Sequence, residues 1–506
     1  MEKSMIIICL LFLSYQLGFS RSNKKYNETI INVKIIDKNL DKTKVPVIIL
    51  QTSECAFGGV EFIKSMNSNY EQVAVKEGNV FSISSSSDVF YMRIYYAGQK
   101  VPGGSYYWID NIYIIKSGSD LSIYLDNANV RFSGEASVIP NIQSQIIKYS
   151  YKTSESQRKL LNDKEYLPYF QELDKSLDSA LQLQLGVIES NKTILGDYYV
   201  KLLTANCYGY RYYSQLRAYN FELMQNELYF KTFKKYYNEK IKVRIIPEFT
   251  NDLLDASPMF TNFLIEEFLI VDRIGHEEYG PMLPDSCIRN ILKKINTNHS
   301  GILRDKLLTL FALHTNRNEN ALPFFDEILF NVKNKKYNNL LINKIDVKRN
   351  NIPFKDFNLE NETGEIYTLS SFNKKVIVLD FWFTGCENCA VLNEAMKPIV
   401  KYFSSNPQIQ FVSVSIDKSK KQWLKSVHLG NYTHSEGINL YTNGEGSNHD
   451  LINYYNITNY PTVFVIKDGA MYSSLPPRPS PNTKPGQELS ENALRLIELL
   501  EKAMKF

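Results

Sequence analysis

The sequence predicts a multidomain chain: an all-β, sandwich-like region over 26–136, an all-α helical region over 137–346 and an α/β domain over 350–506. Three observations predict it. Short runs rich in Val, Ile, Tyr and Phe recur between Gly, Pro and Asn turns as far as Gly134, the pattern of strands. Apolar residues then recur at helical spacing. From Asn350 onward, apolar strand-like runs alternate with helical stretches, the pattern of a mixed sheet with helices on both faces. With 506 residues and 44% hydrophobic content, the chain has material for about three packed cores.

The extreme N-terminus reads differently. Lys3 precedes the apolar run Met5–Leu13, and Gly18-Phe19-Ser20 supplies small residues at a cleavage point, so residues 1–20 are expected to be a secretory signal peptide. The run is shorter than the ~20 residues of a spanning helix, and no transmembrane span is expected after cleavage. Export would place the remaining cysteines where disulfides persist. Those are Cys55, Cys207, Cys287, Cys386 and Cys389, an odd number that leaves at least one thiol free or paired outside the chain. Cys55 reads as a small buried hydrophobe, and Cys207 and Cys287 are candidates for a bridge. The net charge is +4, from 58 basic and 54 acidic residues without a dense basic block, which argues against nucleic acid.

In the β region, strands are expected at Thr29–Ile36, Val45–Leu50, Glu71–Val75, Val89–Tyr96, Tyr106–Ile115 and Leu121–Leu125. The aromatic run Tyr106-Tyr107-Trp108 reads as strand packing rather than a binding surface. In the helical region, Leu173, Leu177 and Leu181 mark one face, and Leu303, Leu307, Leu310, Phe311 and His314 another. Tyr208-Gly209-Tyr210-Arg211-Tyr212-Tyr213 reads as an aromatic core seam, with a ligand pocket as the alternative. His276-Glu277-Glu278 begins like a zinc-binding helix, but Gly280 stands where the second His is needed, so no metal is expected.

The C-terminal part opens with a hairpin turn at Asn361–Gly364, followed by an apolar strand from Val376 and a helix from near Glu387 to Ser405. Strands are then expected at Ile409–Ile416, Ile438–Tyr441 and Pro461–Lys467. Helices are expected at Lys420–His428 and Asp450–Tyr455. The closing helix starts near Ser490, with Ala493, Leu496, Ile497, Leu500 and Ala503 on one face. The Pro-rich segment Leu475–Pro485 reads as an exposed connection.

Cys386-Glu387-Asn388-Cys389 lies where that first strand gives way to its helix. Two thiols one helical turn apart suit reversible dithiol–disulfide exchange. The unpaired N–H groups and positive dipole end of a helix N-terminus favour a thiolate at Cys386, leaving Cys389 to resolve what Cys386 attacks. A zinc half-site is the other reading of such a pair, but no second pair completes four ligands.

Ile352-Pro353-Phe354 through Gly364, Val378-Leu379-Asp380-Phe381-Trp382, the two cysteines, and Tyr460-Pro461-Thr462-Val463-Phe464 together resemble the TlpA/ResA type of envelope thioredoxin-like proteins. The resemblance covers the last 155 or so residues and implies a thioredoxin fold there. It implies catalytic roles for Cys386, Cys389, Asp380 and Pro461. Asp380 would be a buried acid exchanging a proton with Cys389, and Pro461 a cis-proline facing the dithiol. Tyr460, Trp382, Glu387 and Asn388 would form the substrate-binding surround. Four positions depart from the pattern: Gly385 replaces the usual aromatic residue, Asn388 the frequent proline, Leu392 a frequent acid, and Glu387 sets a negative charge beside the thiolate. That charge opposes ionisation and favours a more reducing couple.

The expected function is an exported thiol–disulfide oxidoreductase that reduces or isomerises disulfides of envelope proteins. Its electrons would come from an upstream thiol donor, with no cofactor beyond the Cys386–Cys389 disulfide. The resemblance implies the periplasm or cell envelope of a Gram-negative bacterium. Two other readings stand beside it. One is a thiol peroxidase of the AhpC/TSA-related type, although Thr384 precedes Cys386 by two positions rather than that family's three. The other is a non-enzymatic envelope binding protein with a redox-sensing domain.

Overall fold

The computed structural model describes residues 27–36, 47–57, 72–74, 79–97, 107–126, 129–218, 226–277, 283–316, 318–345, 347, 349–457, 459–481 and 489–505. The signal-peptide segment, Tyr106 and residues 482–485 of the Pro-rich segment lie outside them. The chain divides into two compact units, residues 1–218 with 235–263, and residues 219–234 with 264–506.

Strands β1 (Asn27–Ile35), β2 (Val47–Ser53), β3 (Gln72–Ala74), β4 (Asn79–Ser85), β5 (Val89–Ala97), β6 (Tyr107–Lys116), β7 (Leu121–Asp126) and β8 (Asn129–Ser133) form two four-stranded sheets. Their orders are β4-β1-β7-β8 and β3-β2-β5-β6. Side chains of both sheets, among them Ile31, Val33, Ile123 and Leu125 from one and Phe90, Met92, Ile94 and Ile115 from the other, share one core. That makes the region sandwich-like. Strands β4 and β8 were not foreseen: Phe81 and Ile83 alternate with serines in one and Val130 and Phe132 with polar residues in the other, but neither forms a run rich in apolar residues. They pair with β1 and β7 at the edges of their sheet.

The helical region runs through α1 (Val138–Ile147), α2 (Glu155–Asn162), α3 (Tyr166–Ser190), α4 (Lys192–Arg217), α5 (Glu227–Tyr236), α6 (Asn251–Ala256), α7 (Pro258–His276), α8 (Asp285–Asn298), α9 (Gly301–Thr315), α10 (Phe325–Asn331) and α11 (Lys335–Lys344). Leu173, Leu177 and Leu181 are buried along α3 as the spacing predicts. Arg211 of α4 is buried and ion-paired to Asp174 and Asp178 of α3, which satisfies a charge that would otherwise be costly there. Helix α9 corrects the single-stripe expectation. Leu303, Leu307, Leu308, Leu310, Phe311 and Leu313 are all buried, while His314 is exposed. A helix enclosed on most sides has no one apolar face to detect. Cys55, Cys207 and Cys287 are buried and none is in a disulfide, so the candidate bridge between Cys207 and Cys287 is not formed.

The C-terminal sheet comprises β9 (Leu359–Glu360), β10 (Ile366–Tyr367), β11 (Val376–Trp382), β12 (Ile409–Ser415), β13 (Ile438–Tyr441), β14 (Thr462–Lys467) and β15 (Ala470–Ser473), ordered β10-β9-β13-β12-β11-β14-β15. Strand β11 lies at its centre, parallel to β12 and antiparallel to β14. Alternate residues of β11 face opposite ways. Val376 and Val378 pack with Leu392, Met396 and Ile399 of α12 (Glu387–Phe403) and with Leu496 and Leu500 of α15 (Glu491–Lys505). Ile377, Leu379 and Phe381 pack on the other side with Phe354, Leu451 and Tyr455. Between these elements lie α13 (Lys420–Leu429) and α14 (Asp450–Tyr454). No helix among the described residues is long and apolar enough to cross a membrane.

Candidate active site

Strand β11 is buried on both faces, so the chain leaves it at Trp382 with little freedom. It turns through Thr384-Gly385 and enters α12. Gly385 has φ of 94°, a left-handed value that an L side chain adopts only with strain. This accounts for glycine where the family pattern has an aromatic residue. Cys386 is the N-cap of α12, and its Sγ accepts a hydrogen bond from the Cys389 N–H at 3.2 Å. Cys386 and Cys389 are joined as a disulfide, with Cα atoms 5.2 Å apart. Both are nearly buried, at 5% and 3% exposure.

Asp380 occupies the β11 face of Val376 and Val378, the one α12 covers. Its neighbour across the parallel pair is Ser413, whose Oγ donates to Asp380 Oδ1 at 2.6 Å. The residue keeps some exposure, yet protein surrounds the carboxyl, and burial lifts its pKa to about 7 against the lowering effect of the Ser413 bond. Strand β14 pairs Thr462 with Phe381, which sets the preceding Tyr460-Pro461 at the end of the sheet where β11 runs into the dithiol loop. The Tyr460–Pro461 peptide is cis. The Tyr460 ring packs against the cluster holding both cysteines and meets Phe383 edge-on at 5.6 Å. Its buried hydroxyl has no hydrogen-bond partner among the described residues, and burial pushes its pKa up to about 12.

Trp382 has no exposed surface, which corrects its grouping with the substrate contacts: it supports the dithiol from within the cluster. Glu387 and Asn388, in the first turn of α12, are exposed and lie beside the cysteines on the solvent side.

The structure also brings in residues that the sequence did not single out. Asp417, buried just beyond β12, accepts from the Thr384 N–H at 3.0 Å, from Thr384 Oγ1 at 2.7 Å and from Ser415 Oγ at 3.0 Å. Tyr432 stacks on Trp382 with ring centres 5.0 Å apart, and its hydroxyl accepts from the Gly385 N–H at 3.0 Å. Together they brace the loop between β11 and Cys386. An acid a few residues past a buried strand was the available signal for Asp417. Nothing local marks Tyr432.

Away from this site, Asp272, His276 and Cys287 bring possible metal-ligand atoms within 4.8 Å of one another. The spacing after His276 predicts no metal, since Gly280 stands where a second His is needed. Lys294 Nζ, 3.2 Å from Asp272 Oδ1, gives that carboxylate a counter-charge.

Residues 373–471 match the Thioredoxin-like family. The chain is 28% identical over 114 residues to the thioredoxin-like protein YneN of Bacillus subtilis, a match covering 22% of this chain and 62% of that protein. The chain thus spans less than two thirds of that relative's length. Among solved structures it is similar to a thiol-disulfide oxidoreductase from Bacteroides fragilis (19% identity, 24% of this chain and 88% of that one, TM-score 0.22). It is also similar to the thioredoxin domain of a thiol-disulfide oxidoreductase from Bacteroides vulgatus (17% identity, 30% and 96%, TM-score 0.24). On the family match over 373–471, the C-terminal part of this chain is a thioredoxin-like domain.

Proposed function

We propose that the chain is an exported thiol–disulfide oxidoreductase that reduces or isomerises disulfides of envelope proteins through Cys386 and Cys389. The observation that carries this reading is the disulfide at the N-cap of α12, on the sheet face that also holds a carboxyl with pKa about 7.

In the reducing direction the dithiol form acts first. The Cys386 thiolate, stabilised by the helix N-terminus, attacks one sulfur of a substrate disulfide. A mixed disulfide forms and the other substrate sulfur leaves as a thiolate. Asp380 then accepts the Cys389 proton, and Cys389 attacks Cys386 Sγ. The Cys386–Cys389 disulfide closes and the second substrate sulfur leaves, taking up a proton. The substrate gains two electrons, and an upstream thiol donor returns them to the domain. Tyr460, cis-Pro461 and exposed Glu387 and Asn388 are the surfaces proposed to meet the substrate.

The test is Cys389→Ala in cells and with a model disulfide. Substrate proteins should accumulate on Cys386 as mixed disulfides, and the wild type should turn over the model disulfide. Absence of both would refute the activity.

A further inference from the structure

Two helices of the second unit carry a cluster that the dithiol chemistry does not use. Asp272 and His276 stand four positions apart on α7, the spacing that puts two side chains on one helix face. Cys287 lies in the first turn of α8, where the positive end of the helix dipole favours a negatively charged sulfur. The three residues bring a carboxylate oxygen, a ring nitrogen and a sulfur within 4.8 Å of one another.

The carboxylate is only half committed. Asp272 is buried, at 3% exposure, and its Oδ1 pairs with Lys294 Nζ at 3.2 Å. Its Oδ2 has no hydrogen-bond partner among the described residues, a costly state for a buried oxygen. His276 Nδ1 stands 3.4 Å from that oxygen. A tetrahedral zinc with bonds of about 2.0–2.1 Å holds its N and O ligands about 3.3 Å apart, so this pair is already at ligand spacing. Nδ1 also lies 2.9 Å from the Asp272 backbone carbonyl oxygen. Ligation through Nδ1 exchanges that contact for the metal and leaves the ring proton on Nε2. Cys287 is fully buried and His276 is exposed, so the cluster has an open side.

We propose that Asp272 Oδ2, a ring nitrogen of His276 and Cys287 Sγ bind one Zn²⁺ ion, with water as the fourth ligand on the exposed side. Cys287 releases its thiol proton to solvent as the metal binds. Thiolate and imidazole beside one carboxylate select zinc over magnesium or calcium, which take oxygen ligands. Lys294 on Oδ1 holds the carboxylate in place, as outer partners of ligating groups do. The two negative ligands neutralise the ion, which lets the lysine charge stay beside it. The ion ties α7 to α8 and takes no part in disulfide exchange.

Zn²⁺ titration of the tag-free whole chain, in competition with a coloured chelator, tests this. Wild type with its Cys386–Cys389 disulfide closed and the Cys386→Ser/Cys389→Ser variant are both used, so that the dithiol takes no metal. Each should bind one equivalent with a Kd of about 1 μM or tighter. Co²⁺ in place of Zn²⁺ should give a thiolate-to-cobalt charge-transfer band. His276→Ala, at an exposed position, should weaken zinc binding by about 10²-fold or more, and Cys287→Ser should abolish the cobalt band. The proposal is overturned if disulfide-closed wild type binds zinc more weakly than about 100 μM, if its cobalt complex lacks the thiolate band, or if folded His276→Ala keeps wild-type affinity. The first two readings need only wild-type protein and decide the matter even where a variant does not fold.

Discussion

Ser413 Oγ donates a 2.6 Å hydrogen bond to Asp380 Oδ1 across the parallel β11–β12 pair. Burial raises the carboxyl pKa and this bond lowers it, leaving it at about 7. An acid poised there is nearly balanced between accepting and returning a proton at neutral pH.

Replacing Asp380 by Asn is expected to slow closure of the Cys386–Cys389 disulfide by about 10²-fold and to remove its pH dependence near 7, as read by single-turnover kinetics. Stability should move the other way. The native pKa lies above the unfolded value of 3.8, so the folded state binds the extra proton between about pH 4 and 7 and loses stability as pH rises through that window. The oxidised Asp380→Asn protein should therefore be more stable than wild type at pH 8, by roughly 2–4 kcal/mol, and the advantage should vanish below pH 4. Denaturant melts at the two pH values check this.

Ser413→Ala removes the bond that favours the carboxylate. The pH profile of disulfide closure should shift upward while the maximal rate is largely kept. An unchanged midpoint would detach Ser413 from the proton transfer.

Asp417→Ala strips three hydrogen bonds from the loop at Thr384 and from Ser415, and should cost about 2–4 kcal/mol. Tyr432→Phe keeps the stacking on Trp382 and loses only the Gly385 contact, so about 1 kcal/mol is expected. Equal losses in thermal melts of the two variants would contradict this ranking.

Glu387→Gln removes the negative charge beside the attacking sulfur. The reduced form gains stability and the reduction potential of the pair should rise by about 10–20 mV at low salt, an effect that shrinks as salt is added. Equilibration with glutathione measures it.

Much of this site was legible before the fold was known, because its key residues are local. Cys386 and Cys389 share one helical turn, and Asp380 and Trp382 sit on the strand that leads to it. The braces were not legible. Asp417 and Tyr432 reach Thr384 and Gly385 from 33 and 47 positions away, and no periodicity records such contacts.

The sequence alone determined the order of regions, the strand-to-helix placement of the dithiol and the central apolar strand beneath it, since these follow from residue spacing and backbone preference. Tertiary packing decided what surrounds them. It set Asp380 on the face covered by α12, where burial rather than sequence position fixes its pKa. It enclosed Trp382 completely and set the short strands β4 and β8 at the two edges of one sheet, beside β1 and β7. Each of these depends on desolvation or on long-range pairing, which exist only once distant segments meet.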